Sequence, residues 1–401
     1  MKLPTDPGSP EALRDRAAFY NELRNRCPVA KVDNPEYYVV SSFEGVKTLL
    51  NDPEHFSKAW SNQYARSEHN YALNQDPPNF NEFRALYTGY MSPRGVKRWS
   101  ADCERIANEL IDRMLPLGAG DLQALYGKPL PAAVTAIVLG LPLDGLDRYR
   151  AWTDTFLDMM IRDPDAQAKV IEEMYEFFDQ EFERRRTALR QAGIAEPGPE
   201  HVGNFVADNL ISVLMTSKYR GRYLDNDELR RTVRGFFIGG VDTTGALILD
   251  VLYRLLERPT LWAEVQANPV LIDMAIEEAL RFDPPAIGMF RGTTCPVAME
   301  GATIPAEARV LYSLFGANRD PAVFEHPDEF RLDRKPINGQ YHMSFGGGAH
   351  FCPGAWTAKM EAKIALQAVL KRMPKLRLTG PVERFQAVNF WVISHLPAAW
   401  D

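Results

Sequence analysis

Cysteine is scarce in this sequence, and its residues are never close together. The four cysteines, Cys27, Cys103, Cys295 and Cys352, are spread over 401 residues and form no C-x-x-C pair. This spacing predicts neither a disulfide framework nor a zinc site. Free thiols are typical of reducing compartments, so we expect a cytoplasmic protein.

Excess positive charge, long apolar runs and nucleotide-binding glycine motifs are also missing. The net charge of -7 argues against nucleic-acid binding, which requires a clustered positive surface. There is no apolar signal-peptide core near the start and no uninterrupted apolar run of about 18 residues, so we expect no membrane association. The lack of an additional G-x-G-x-x-G segment argues against a built-in dinucleotide or flavin module.

The sequence does have enough apolar material for a large core. Hydrophobic residues make up 45% of the chain and charged residues 25%, as in globular proteins. Helical spacing of apolar residues dominates residues 92–260, and short β-rich runs lie outside that stretch. No change in composition marks a domain boundary. We therefore predict a mainly α-helical single domain with small β-sheets over residues 1–401.

Residues 344–354, SFGGGAHFCPG, which we call the Cys loop, carry one cysteine after three consecutive glycines. Glycine permits a sharp turn and leaves room for a flat ligand against the backbone. Helical spacing resumes directly after Gly354, so Cys352 is predicted at a helix N-terminus, where backbone N–H groups lower the pKa of a thiol. A thiolate beside a flat cofactor is the arrangement of a cysteine-ligated heme. The alternative is a buried cysteine in a glycine-rich turn.

This segment resembles the heme-binding signature F-G-x-G-x-H-x-C-x-G of the cytochromes P450, the heme-thiolate monooxygenases. The matching residues are Phe345, Gly346, Gly348, His350, Cys352 and Gly354. The resemblance implies a cytochrome P450 fold with heme b (iron-protoporphyrin IX) between a long Asp-Thr helix and the helix after the Cys loop. It also implies that Cys352 ligates the iron, that Phe345 and Gly346 contact the heme, and that His350 donates to a heme propionate.

One unusually long helix is predicted over residues 226–257, with a cap at Asn226. It accepts four glycines, each costing about 1 kcal/mol in a helix interior, which indicates that space is needed there. Residues 239–244, GGVDTT, resemble the family's oxygen-activation motif [AG]-G-x-[DE]-T. By this resemblance Asp242 and Thr243 are catalytic and relay protons toward dioxygen. The alternative is local hydrogen bonding to the preceding helical turn.

Two arginines match positions at which the family binds the heme propionates. Residues 76–84, DPPNFNEFR, resemble D-P-P-x-H-x-x-x-R, with Arg84 at the Arg position and Phe80 in place of the His. The second position is that of Arg291. Phe80 removes one expected hydrogen bond, but an Arg can satisfy a carboxylate through two parallel bonds, so we expect heme binding to persist.

Further residues match supporting and substrate-facing positions of the family. Glu278 and Arg281 match E-x-x-R, which implies a structural pair holding the Cys loop, although such a pattern alone usually means a solvated ion pair. The resemblance also implies a set of residues that would contact the substrate; the alternative is that they are exposed at the surface or packed in the core. They are Trp60, Tyr64, Tyr71, Ile287, Met289, Phe290, Phe390 and Trp391.

The resemblance implies a monooxygenase that inserts one atom of dioxygen into a small apolar organic substrate, by hydroxylation or by O- or N-demethylation. Because the heme domain accounts for the whole chain, electrons would come from NAD(P)H through a separate ferredoxin and ferredoxin reductase. Basic residues that would meet an acidic ferredoxin, or be ordinary solvated charges, are Arg84, Arg94, Lys97, Arg98 and Lys359. The alternatives are a peroxygenase or isomerase on the same fold and a non-catalytic heme sensor, and the acid and alcohol pair argues against both.

Overall fold

The computed structural model describes residues 5–59, 74–162, 164–337 and 339–400, and the side chains within these ranges except at residues 155–162 and 164. Helices dominate. They are α1 (Pro10–Arg14), α2 (Arg16–Arg26), α3 (Phe43–Asn51), α4 (Asn79–Thr88), α5 (Ser100–Met114), α6 (Pro129–Leu139), α7 (Leu146–Arg162), α8 (Pro164–Gln191), α9 (Leu210–Thr216), α10 (Asn226–Leu256), α11 (Pro259–Ala267), α12 (Leu271–Phe282), α13 (Leu314–Asn318) and α14 (Ala355–Arg372).

The strands form small sheets beside the helices. They are β1 (Val29–Asp33), β2 (Glu36–Val40), β3 (Phe56–Ser57), β4 (Ala119–Asp121), β5 (Lys218–Tyr219), β6 (Arg222–Tyr223), β7 (Gly288–Thr293), β8 (Val297–Met299), β9 (Ala302–Ile304), β10 (Arg309–Ser313), β11 (Arg377–Leu378), β12 (Glu383–Gln386), β13 (Trp391–His395) and β14 (Pro397–Ala399). The five-stranded sheet has the order β1-β2-β10-β7-β3, with β7 antiparallel to both of its neighbours. The predicted single helical domain with small sheets is confirmed.

Helix α10 is the central element of the fold. It begins with a capping box, in which Asp225 accepts a hydrogen bond from the Glu228 N–H and the Glu228 carboxylate accepts one from the Asp225 N–H. The N-cap is therefore Asp225 and not Asn226, because the preceding carboxylate reaches the free amides of the first turn. The helix packs against α6, α12 and α14 and against a π-helical turn, Gln123–Gly127.

Two of the glycines of α10 serve close packing between elements. A Cβ on Gly245 would lie 2.3 Å from the carbonyl oxygen of Gly127 in the π-helical turn, and one on Gly240 would lie 2.8 Å from Thr135 Oγ1 in α6. These positions therefore need glycine or a local shift whether or not a ligand is bound. Among the described helices α10 alone is long and apolar enough to cross a membrane, and 61% of its apolar window is buried inside the fold.

The Glu278 and Arg281 pair is buried and ties α12 to the chain that leads into the Cys loop. Arg281 donates twice to Glu278, at 2.8 Å each, and both side chains are almost fully buried. Arg281 also donates to the carbonyl oxygens of Asn318, Pro327 and Glu329. The predicted structural pairing is confirmed.

The same support continues to the start of the Cys loop. The Ser344 hydroxyl donates to the carbonyl oxygen of Leu280 at 2.5 Å, and the Asn318 side chain donates to Ser344 Oγ at 2.8 Å. Asn318 Oδ1 in turn accepts from the Met343 N–H at 2.7 Å. Helix α12 and residue 318 thus fix the loop entrance.

Candidate active site

The Cys loop is a tight turn that its glycines make possible. Gly346 has a φ of +71° and Gly348 a φ of +60°, and a Cβ on Gly348 would come 2.3 Å from the carbonyl oxygen of Leu50. The turn is closed by a hydrogen bond of 2.9 Å from the Cys352 N–H to the carbonyl oxygen of Phe345. Helix α14 begins three residues after Cys352, as predicted.

Cys352 is half-buried, and backbone N–H groups at the start of α14 interact with its sulfur. Burial raises the pKa of the Cys352 thiol, while the backbone N–H groups of Gly354 and Ala355 and the charge of Arg84 lower it. The N–H groups lower the pKa of the thiol as predicted, but burial has the larger effect, so the net shift of the pKa is upward. Partial removal of the thiolate from water therefore outweighs the effect of the helix N-terminus.

His350, two residues before Cys352, is held by an aromatic stack. The rings of Phe80 and His350 are stacked with centroids 4.0 Å apart and planes 22° apart. Burial lowers the pKa of His350 to about 3, and the charges of Arg291, Lys58 and Arg84 act in the same direction. His350 Nε2 is buried and has no hydrogen-bond partner among the described residues. Phe80, which replaces the family's His, therefore orients His350 instead of donating.

The two predicted propionate ligands converge on His350 from different elements. Arg84 of α4 donates through one guanidinium nitrogen to the carbonyl oxygen of Ala349, at 2.9 Å. Arg291 of β7 is buried, donates to the carbonyl oxygen of Phe290 and lies over the Tyr312 ring at 5.3 Å. Cationic groups thus surround a neutral, buried imidazole, an arrangement that favours an anionic ligand.

The motif residues of α10 face open space and a charged network. A Cβ added to Gly239 would meet no atom within 4 Å. The Thr243 hydroxyl donates to the carbonyl oxygen of Gly239 at 2.6 Å, which is the local bond expected by the alternative interpretation. Burial raises the pKa of Asp242 to about 6, against the lowering effect of Lys128 and with the repulsion of Asp154.

Lys128, at the start of α6, links Asp242 to solvent. Its ammonium lies 3.8 Å from Asp242 Oδ1 and forms an ion pair with Asp154 of α7. The Lys128 and Asp242 side chains are 6% and 9% exposed, whereas that of Asp154 is 68% exposed. A cavity of about 230 Å³ is lined by these three residues and by residues of the π-helical turn and β13.

The predicted substrate neighbours divide into different environments. Ile287 is fully buried in a core cluster, and Phe290 packs edge-on against Tyr37 and under Arg309. Alternation along β7 places Met289 on the same face as Arg291 and Phe290 on the opposite face, so the implied contact with the substrate stays a prediction for these residues. Trp60, Tyr64 and Tyr71 lie outside the described residues.

The hairpin of β12 and β13 reaches the segment before β7. Phe390 forms a β-bridge with Ala286, and the Trp391 N–H donates to the carbonyl oxygen of Pro285. The Trp391 ring stacks on Phe315 with centroids 6.0 Å apart, so it packs in the core as the alternative expected.

Sequence reasoning missed Lys58 and Lys128. Lys58 follows β3 and Lys128 precedes α6, and each belongs to an element distant in sequence from the motif that it approaches. An isolated lysine carries no pattern, so only the tertiary arrangement reveals them. The described residues fit a heme: His350 offers a buried nitrogen without a hydrogen-bond partner among cations, Cys352 a half-buried sulfur, and Gly239 an open space.

Comparison with known proteins agrees with this geometry. The model of the family "Cytochrome P450" matches residues 20–374. The chain is 31% identical over 398 residues to the mycinamicin IV hydroxylase/epoxidase of Micromonospora griseorubida, covering 96% of this chain and 95% of that protein. It is 32% identical over 398 residues to the cytochrome P450 monooxygenase PikC of Streptomyces venezuelae, covering 95% and 90%.

Solved structures agree with the sequence relatives. CYP109E1 from Bacillus megaterium, in complex with testosterone, aligns with a TM-score of 0.86 at 27% identity, covering 98% of this chain and 100% of that one. A mutant of P450 EryK in complex with erythromycin B aligns with a TM-score of 0.87 at 25% identity, covering 98% of each chain. The chain therefore belongs to the cytochrome P450 family and is a monooxygenase of that family.

Proposed function

We propose that this enzyme inserts one atom of dioxygen into a small, largely apolar organic molecule, by hydroxylation or by O- or N-demethylation. It holds heme b through Cys352 and acts in the cytoplasm with electrons from NAD(P)H, delivered by a separate ferredoxin and its reductase. The observation that carries the proposal is the orphaned, buried His350 Nε2, which lies among cations on the same loop as the Cys352 sulfur.

Heme, when bound, supplies the activation of dioxygen, and the chain supplies its position and electrostatics. Cys352 binds the iron as a thiolate, and the N–H groups of Gly354 and Ala355 stabilise its charge. Phe345 and Gly346 would contact the heme. Arg84, Arg291 and His350 would bind the propionates, whose negative charge would offset the repulsion among the cations around His350.

Protons reach the site through Asp242 and Thr243. Asp242, with a pKa of about 6, is poised to accept and release a proton near neutral pH. Lys128 and Asp154 connect it to the solvent side of the 230 Å³ cavity. The Thr243 hydroxyl donates its hydrogen to the Gly239 carbonyl oxygen. The hydroxyl oxygen can therefore accept a hydrogen bond from another donor.

The Cys352 assignment is tested by the absorption spectrum of the dithionite-reduced protein under carbon monoxide. Wild type is expected to show the long-wavelength Soret band of thiolate ligation, and the Cys352→His variant is expected to lose it. A folded wild type that binds no heme, or that shows the band of a neutral ligand, would refute the assignment.

The relay is tested by the Thr243→Ala variant, assayed with a ferredoxin, its reductase and a substrate found by binding-induced spectral shifts. Product formed per dioxygen consumed should fall roughly tenfold or more, within the range of a positioned proton-transfer group. Unchanged coupling would remove Thr243 from the relay. Turnover that requires peroxide and ignores the electron donors would favour the peroxygenase alternative.

A further inference from the structure

A lysine outside the motifs, Lys58, lies close enough to Arg291 for their charges to interact. Strand β3 pairs antiparallel with β7, with Phe56 opposite Thr293 and Ser57 opposite Gly292. Lys58 directly follows Ser57, just beyond the end of β3, and Arg291 directly precedes Gly292 in β7. Both residues therefore adjoin the same paired position at this sheet edge, and the charge of Arg291 acts on Lys58.

The backbone of Lys58 is fixed at this position by one carboxylate. Asp76 Oδ1 accepts a hydrogen bond from the Lys58 N–H at 2.7 Å, and Asp76 Oδ2 accepts one from the Ser57 hydroxyl at 2.5 Å. Asp76 directly precedes the two prolines that lead into α4, the helix of Phe80 and Arg84. The end of β3 is thereby tied to the start of α4.

Phe80 leaves this end of the site without one donor. Its ring is buried against His350 and has no polar atom, so it orients the imidazole but cannot bind a carboxylate. Lys58 lies close enough to the same imidazole that its charge, like that of Arg291, lowers the pKa of His350. Charged groups that act on Lys58 include Arg291 of β7, Arg309 of β10 and Asp76.

We propose that Lys58 is a further ligand of the heme propionates, and that it supplies the donor which Phe80 lacks. The inference rests on heme binding as set out in the proposed function. It gives a physical reason why the chain tolerates an aromatic residue in place of the family's His.

The decisive measurement is the rate at which the holoprotein loses heme to an excess of apomyoglobin. Lys58→Met and Lys58→Gln should each transfer heme roughly tenfold faster than wild type, as expected for the loss of one charge-assisted hydrogen bond. Lys58→Arg should stay near the wild-type rate, because it keeps a cationic donor. Lys47→Met is the control, since Lys47 is an exposed lysine of α3 that pairs with Glu44.

Two further readouts separate propionate binding from a general structural role. In protein loaded with heme dimethyl ester, whose carboxylates are neutral, wild type and Lys58→Met should differ by less than about twofold. An undiminished difference with the ester, or equal rates with ordinary heme, would overturn the proposal.

The second readout is pH. Burial and the charges of Arg291 and Arg309 lower the pKa of Lys58 to about 7, and a bound carboxylate would raise it. The contribution of Lys58 to heme retention is therefore complete below about pH 7 and is lost as the pH rises through the raised value. The rates of wild type and Lys58→Met should converge at high pH, and a constant ratio would contradict the proposal.

The reduced carbon monoxide spectrum of each variant distinguishes the two levels of failure. A thiolate band in every variant together with unchanged transfer rates would overturn the role of Lys58 alone. A wild type without that band would overturn the proposed function and this inference with it.

Discussion

At the scale of single residues, two charges next to Asp242 shift its pKa in opposite directions. Lys128 lowers the pKa of Asp242 and Asp154 raises it, against a background of burial that brings it to about 6. In Lys128→Met we expect a higher pKa, because desolvation and the Asp154 charge then act without opposition. In Asp154→Asn we expect a lower one.

The measurement is the pH dependence of product formed per dioxygen consumed. The inflection due to Asp242 should move to higher pH in Lys128→Met and to lower pH in Asp154→Asn. Lys47→Met, in the exposed pair with Glu44, should leave it in place. Shifts of the same sign in both Lys128→Met and Asp154→Asn would show that the cavity residues act by another route.

Pro353 limits the number of backbone N–H groups that the Cys loop can direct at the Cys352 sulfur. The N–H groups of Gly354 and Ala355 already point to Cys352, and proline at position 353 has none to add. Pro353→Leu introduces an N–H, which would withdraw charge from the sulfur. The reduction potential of the heme should rise by some tens of millivolts. Potentiometric titration checks this, and an unchanged potential would mean that the new amide does not reach the sulfur.

At the scale of one element, two glycines of α10 should respond oppositely to the same substitution. Gly245→Ala places a methyl group 2.3 Å from the Gly127 carbonyl oxygen, so overpacking should lower the free energy of unfolding by about 1–3 kcal/mol. Gly239→Ala meets no atom within 4 Å and gains helix propensity, so stability should hold or rise by up to about 1 kcal/mol.

Urea unfolding of both variants gives the stabilities, and dioxygen uptake gives the functional effect. Gly239→Ala should be the variant that loses activity despite its stability, because its methyl group enters the space left beside the motif. If Gly245→Ala were the more stable of the two, the packing interpretation of α10 would be wrong.

Helix α10 also shows which structural features could be predicted from the sequence alone. Apolar periodicity and the flanking residues predicted its limits to within one residue, since these are local properties. They could not tell which glycines face a neighbour and which face open space. That depends on the π-helical turn at 123–127 and on Thr135 of α6, more than a hundred residues away.

Strand β7 likewise shows that the sequence does not reveal which face of an element each residue occupies. The resemblance indicated that residues 287–290 precede a propionate-binding Arg, but one-residue alternation sends Phe290 to the opposite face from Arg291. The pairing of Ser57 with Gly292, which brings Lys58 near Arg291, likewise joins strands more than 200 residues apart in the chain. The motif of the Cys loop could be recognised because it lies within eleven residues, whereas its contacts with Leu50, Leu280 and Asn318 could not be predicted from that segment.

At the scale of the whole molecule, Arg281 joins α12 to the segment that supports the cysteine loop. Arg281→Met would leave the Glu278 carboxylate buried with fewer partners and would free the carbonyl oxygens of Asn318, Pro327 and Glu329. The expected loss of stability is about 3–5 kcal/mol. The thiolate-type Soret band should decay at lower urea concentration than in wild type.

A matched control is Arg331→Met. In the wild type, Arg331 pairs with the exposed Asp333 at the surface. Its effect should be no more than about 1 kcal/mol. Similar losses in both variants would mean that burial of the Glu278 and Arg281 pair adds nothing to the support of the loop.

Electron delivery is also a property of the whole molecule, and the structure reduces the number of available basic residues. Arg98 pairs with Asp208 and stacks on Tyr90, Lys359 pairs with Glu277, and Arg84 contacts the carbonyl oxygen of Ala349. Arg94 and Lys97 are exposed and precede α5. On α14, the helix behind Cys352, the Trp356 side chain is 42% exposed.

If an acidic ferredoxin docks on this face, Lys97→Glu should slow its reduction of the heme roughly tenfold at low ionic strength, because a favourable charge contact becomes repulsive. The difference should shrink as salt screens the encounter. Stopped-flow reduction under carbon monoxide measures the rate. Lys47→Glu is the control for a change in total charge, because it makes the same substitution on α3. Equal slowing by both variants would indicate that net charge, and not a site beside α5, steers the electron donor.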